Sequence, residues 1–179
     1  KAFSETVKNA GHHFDLYEFA SGKSHLSWEK EHNTLKQWLL ALPKPTGLMA
    51  CNDNYARDIL TTCQSVGILV PDEIAILGVD NEPSTCEICS PPLSSVNIDL
   101  ARLGYESAQL LESLMKGESS RGQVLLAKPT HIEVRASTDI IAIEDHEINT
   151  AVRFIRDNAV KPIQVQDVAD AACISRRTL

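Results

Sequence analysis

The sequence predicts an α/β fold, a doubly wound and mostly parallel sheet, followed by a short all-α unit. Two observations carry this. Short apolar runs alternate along the chain with amphipathic helical stripes of about 12 residues, the pattern of βαβ units. The alternation then breaks around 136–145, where a different helical pattern begins.

The opening, Lys1 to Asn9, reads as a helix with Ala2, Phe3 and Val7 apolar, and Gly11 as its stop signal. Phe14 to Phe19 alternates apolar and polar residues at period two, which predicts a strand before a small polar loop at Ala20 to Ser24. From Ser27 to Leu42, Leu35, Trp38, Leu39 and Leu42 share a helical face, closed by Pro43 and Pro45. Gly47 to Ala50 is a short strand, and Asp53 is placed to cap a helix with the buried stripe Ala56, Ile59, Leu60, Cys63, ending at Gly67.

Glu73 to Val79 is apolar through its centre, as expected of a strand covered on both faces, and Asp80 stands at its carboxyl end. Leu93 to Ile98 reads as a strand, and the helix from Leu100 is expected to turn Leu103, Ser107, Leu110, Leu111 and Leu114 inward. Val124 to Leu126 and His131 to Arg135 are the last strand candidates. In the tail, Ile148, Ala151, Val152 and Ile155 line one helix, and Val165, Val168, Ala169 and Ala172 line a second. Cys173-Ile174 then makes a turn, and Ser175 caps a helix starting Arg176-Arg177. This order predicts a helix, a tight turn and the N-terminus of a further helix.

Ligands of doubly wound sheets bind beyond the strands' carboxyl ends. Here those ends present Ala20 to Ser24, Cys51-Asn52-Asp53-Asn54 and Asp80-Asn81-Glu82, a cleft rich in hydrogen-bond acceptors.

Composition narrows the class. Hydrophobic residues at 43%, charged residues at 23% and eight each of Gly and Pro exclude a disordered or collagenous chain. No apolar run approaches the ~20 residues of a membrane span and the start has no signal-peptide core, so a soluble, cytoplasmic product is expected. A net charge of −7 confines any nucleic-acid contact to a local patch. The five cysteines, Cys51, Cys63, Cys86, Cys89 and Cys173, are an odd number without small-scaffold spacing, so reduced thiols are expected. Cys86-x-x-Cys89 lacks the second ligand pair that zinc needs, and His12, His13, His25 and His32 read as surface residues. No metal and no cofactor is called for.

Two resemblances sharpen the reading. The blocks Pro45 to Asp53, Val70 to Asn81, Pro91 to Val96 and Arg135 to Thr138, in that order, resemble the ligand-binding domain of the LacI/GalR repressor family. Ala151 to Arg156 and Val168 to Leu179 resemble the start of an AraC-type DNA-binding domain. The resemblances imply a sugar-binding domain of periplasmic-binding-protein type over 1–138, a linker over 139–144 and a DNA-binding domain over 145–179. They also imply that the span holds one lobe, the returning part of the other, and a helix-turn-helix unit cut inside its recognition helix.

The implied function is that of a homodimeric, sugar-responsive transcription activator rather than an enzyme, with D-xylose as the ligand and operator DNA as the partner. In the resembled family the strand-end Asn-Asp and Asp meet sugar hydroxyls, which here carries over to Asn52, Asp53 and Asp80. An ionised carboxylate accepts from two adjacent hydroxyls. Trp28 is expected to stack on the ring's C–H face. Ser175, Arg176 and Arg177 are expected at the DNA, although from Glu144 onward six acids outnumber five bases. Two alternatives stay open, a response regulator with Asp80 as phosphoacceptor and a sugar-binding protein without a regulatory role.

Overall fold

The computed structural model describes residues 2–19, 25–117, 122–140 and 145–178, with side chains for all of these except 25–28, 146 and 157. The chain divides into two compact units, Lys1–Asp139 and Ile140–Leu179.

In the first unit, helices α1 (Ala2–Asn9) and α2 (His25–Ala41) precede strand β1 (Thr46–Met49), helix α3 (Asp53–Val66) and strand β2 (Ile74–Asp80). A single turn α4 (Pro83–Cys86), strand β3 (Ser94–Ile98), helix α5 (Leu100–Met115), strand β4 (Pro129–Glu133) and a 3-10 turn at Ala136–Thr138 follow. The sheet order is β1-β2-β3-β4, with β1, β2 and β3 parallel and β4 antiparallel to β3. The mostly parallel α/β sheet is therefore as the alternation predicts.

The core forms where the predicted stripes meet the sheet. Leu35 and Leu39 of α2 and Ala56, Leu60 and Cys63 of α3 are buried together with Ile74 and Ile76 of β2 and Leu93. Removing each such leucine or isoleucine from water contributes about 1.5–3 kcal/mol. Consecutive burial of Ile74, Ala75 and Ile76 shows that β2 is covered on both faces. Gly67 ends α3 at φ 77, in the left-handed conformation that glycine adopts without a β-carbon clash.

The structure corrects four expectations. Phe14 to Phe19 forms no strand. Tyr17 and Phe19 instead pack by their rings against the core beside Trp38. Val124 to Leu126 is also outside any strand, and Val124 and Leu126 are exposed, so a short apolar run had no ladder to join. Helix α5 forms, yet none of its residues is buried, because no described element covers its stripe. Leu103 and Leu110 are half-buried, and Ser107, Leu111 and Leu114 are exposed. The cap of α3 is Asn52, whose side chain accepts from the Tyr55 amide, and Asp53 is the first helical residue.

In the second unit, α6 (His146–Asp157) is capped by Asp145, which accepts from the Glu147 and Ile148 amides. It packs through Ala151 on Val168, in the middle of α7 (Val165–Ala171), and on Ala172, which caps that helix, with Phe154, Ile163 and Ile174 alongside. Ala169 is fully buried, as expected of a small residue where two helices approach. Cys173 turns the chain at φ 57, and residues 176–178 form a turn. No helix among the described residues is long and apolar enough to cross a membrane.

Candidate functional site

The carboxyl ends of β1 and β2 bring Asn52, Asp53 and Asp80 to one edge of the sheet. Asn52 is half-buried, and its Oδ1 accepts from the Tyr55 amide at 2.9 Å. With that oxygen engaged in the cap, its amide nitrogen is the group left to donate to a ligand. Asp53 is 2% exposed. Its Oδ1 accepts from the Ser95 hydroxyl at 2.6 Å, and its Oδ2 accepts from the Glu82 amide at 2.8 Å and the Cys86 thiol at 3.3 Å.

Asp80 is half-buried at the last position of β2. Burial first, and the Asp53 charge second, raise its pKa above the ordinary carboxylate value. Asp80 and Asn81 both lie at positive φ, 105° and 53°. Two successive non-glycine residues there persist only where the surroundings hold them, a situation common at ligand sites.

Asn81, already placed at this edge by the sequence, is joined by Ser95, Asn97, Thr130 and Arg135, which sequence reasoning left out of the site. The Asn81 amide donates to Ser95 Oγ at 3.0 Å, its side-chain nitrogen donates to Asn97 Oδ1 at 3.2 Å, and its Oδ1 accepts from Arg135 at 3.0 Å. Asn97 Nδ2 in turn donates to Thr130 Oγ1 at 2.8 Å. The available signals were the hydroxyl pair Ser94-Ser95 opening a strand and the Arg135 that opens the Arg135 to Thr138 block. That block is fixed to the sheet by Ser137, which accepts from the Ser94 amide at 2.8 Å and donates to the Ile76 carbonyl at 2.6 Å.

Phe19 stacks on Tyr55 with ring centroids 4.4 Å apart and planes 29° apart, an aromatic pair next to Asn52. The side chain of Trp28 lies outside the described residues. A cleft of about 910 Å³ runs between residues 12–19 and β1, lined by Phe14, Leu16, Phe19, Leu48 and Tyr55 among others. Asn52, Asp53 and Asp80 are not among its lining residues.

The cysteines of the Cys86-x-x-Cys89 pair are both free and buried, and Cys89 donates to the Thr85 carbonyl. Burial, the hydrogen bond to Asp53 and the Asp53 charge push the Cys86 thiol up to about 12, which keeps it a thiol donor. Among the described residues no cluster of His, Cys, Asp and Glu is arranged to hold a metal ion. In the second unit, the Ser175 hydroxyl accepts from the Thr178 amide at 3.2 Å, and Arg176 and Arg177 are exposed.

Residues 1–138 match the family described as periplasmic binding protein-like domain. The chain belongs to this family. Among its relatives, the xylose operon regulatory protein of Escherichia coli (strain K12) is 37% identical over 153 residues, covering 86% of this chain and 39% of that protein. The protein of the same name from Haemophilus influenzae is 32% identical over 179 residues, covering 99% of this chain and 46% of that protein. A solved structure described as the xylose-binding transcription activator xylR aligns with a TM-score of 0.74 at 33% identity, over 99% of this chain and 46% of that one. The chain thus spans less than half the length of the curated relatives named here. The family places the sheet within a periplasmic-binding-protein-like α/β fold.

Proposed function

We propose that this chain is the sugar-sensing part, with the start of the DNA-reading part, of a D-xylose-responsive transcription activator. The observation that carries the reading is that similarity to xylose regulators runs through both units, at 32% identity over 179 residues. The strand-end acceptors add chemistry suited to it. Asp80, on a turn held at positive φ, offers a charged acceptor to sugar hydroxyls, and Asn52 offers donors. Trp28 keeps its expected stacking role, with the Phe19–Tyr55 pair supplying further aromatic surface beside Asn52.

The proposed organisation is a ligand domain over 1–138, a linker over 139–144 and the first helix-turn-helix of a DNA-binding domain over 145–179, where Ser175, Arg176 and Arg177 meet the operator. The protein is read as a cytoplasmic homodimer. Sugar between two lobes favours the closed form through its differential affinity, and closure repositions the attached DNA-binding units. Reciprocity then requires operator DNA to raise sugar affinity by the same factor.

The test is a thermal-shift and calorimetry panel of pentoses and hexoses on the full-length protein. D-xylose is expected to raise the melting temperature by selective binding to the folded form. Asp80→Asn is expected to weaken D-xylose by about 1.5–3 kcal/mol with the fold retained. A flat response to every sugar sinks the reading.

A further inference from the structure

Strand β2 carries a notch at Gly78. A β-carbon built at this position would overlap Asp53 Oδ1 and press on Leu93. The Asp53 carboxylate therefore occupies space that any other residue at 78 would fill. An acid in the first turn of a helix commonly stays at the surface, facing the helix dipole. Here Asn52 already performs the capping, and Asp53 turns inward to 2% exposure.

A buried carboxylate needs donors, and those it has come from the turn after β2, from α4 and from β3. The Glu82 amide donates to Oδ2 at 2.8 Å. The Ser95 hydroxyl donates to Oδ1 at 2.6 Å while accepting from the Asn81 amide at 3.0 Å. Two successive amides, directly after Asp80, are thus held by one carboxylate, one of them through a hydroxyl relay. These are the residues that follow or share the left-handed backbone at Asp80 and Asn81.

We infer that Asp53 is a positioning residue of the sugar site: seated in the Gly78 notch, it fixes the Asp80–Glu82 turn in the backbone conformation that presents Asp80 to the ligand. This departs from the expectation that Asp53 itself meets the sugar, and it rests on the proposed role of Asp80. Asp53 acts through the turn. Its own oxygens are occupied by the Ser95, Glu82 and Cys86 donors.

The test uses the full-length protein and three variants, Asp53→Asn, Asp80→Asn and the double substitution. Amide hydrogen exchange at Asn81 and Glu82, measured without sugar, is expected to speed up by about tenfold or more in Asp53→Asn. D-xylose affinity is expected to fall by about five- to fifty-fold in that variant. In the Asp80→Asn background the same substitution is expected to change affinity by less than about twofold, the signature of one residue acting through the other. Unchanged exchange at both amides overturns the inference. So does unchanged affinity despite faster exchange, and so do losses that multiply in full, which would make Asp53 an independent contact. If Asp53→Asn does not fold, Ser95→Ala carries the same two readouts, because it cuts the relay from the Asn81 amide while leaving the charge. Should the unaltered protein bind no D-xylose, the sugar reading fails, and the exchange at Asn81 and Glu82 still decides whether Asp53 fixes the turn.

Discussion

The Arg135 guanidinium donates from one terminal nitrogen to Asn81 Oδ1 at 3.0 Å and from the other to the Leu93 carbonyl at 2.8 Å. One planar fork thereby ties the turn after β2 to the start of β3. A lysine keeps the charge but has no fixed fork. Arg135→Lys is expected to weaken D-xylose binding by about 1–2 kcal/mol in calorimetry. Unaltered affinity in that variant would detach Arg135 from the site.

Ser137 is fully buried and serves two backbone groups of different strands, the Ile76 carbonyl and the Ser94 amide. Ser137→Ala strands both, at an expected cost of about 1–3 kcal/mol in denaturant unfolding with an unchanged slope. Ser107→Ala removes an equally short hydroxyl bond, 2.7 Å to the Leu103 carbonyl, on the exposed face of α5. There the change should stay within about 0.5 kcal/mol. Equal losses at the two serines would mean that burial does not set the penalty.

Burial and the Asp53 charge raise the pKa of Asp80, so the folded state holds that proton more tightly than the unfolded chain does. The stabilisation belonging to this group is present below the ordinary carboxylate range and is lost as pH rises through the raised value. Relative to Asp80→Asn, the unaltered protein should therefore be most favoured in acid and least favoured at neutral pH. Sugar affinity should run the other way, falling as pH drops through the same range, because the ionised form is the acceptor. Paired unfolding and binding titrations across pH check both signs, and a stability difference flat with pH would contradict the first.

Arg176→Ala and Arg177→Ala test the second unit. A loss of about 1–3 kcal/mol confined to the correct operator identifies a base contact, whereas an even loss on all sequences with a salt slope smaller by about 1 identifies a phosphate contact. Full operator affinity in both variants would remove the pair from the DNA.

Sequence pattern located what depends on neighbours in the chain. The apolar runs of β1, β2 and β3 and the stripes of α2 and α3 are set by short-range alternation, and Gly67 marked its helix end by conformation alone. Phe14 to Phe19 shows where this stops, since period two describes which side chains share a face and does not supply a strand to pair with. The stripe of α5 likewise made a helix without naming what covers it. In Asn52-Asp53 both residues are good caps, and a one-residue choice of helix start sent the first to the surface turn and the second into the core. The links from Asp53 to Ser95 and from Asn81 to Arg135 join positions far apart in sequence, beyond any local period.

The notch at Gly78 also constrains how this sequence can drift. An alanine arriving first at 78 collides with the Asp53 carboxylate, and an apolar residue arriving first at 53 leaves the Ser95 hydroxyl and the Glu82 amide without their acceptor. Neither order is silent. Residues 53 and 78 therefore share one volume, so the size tolerated at either position depends on the side chain at the other.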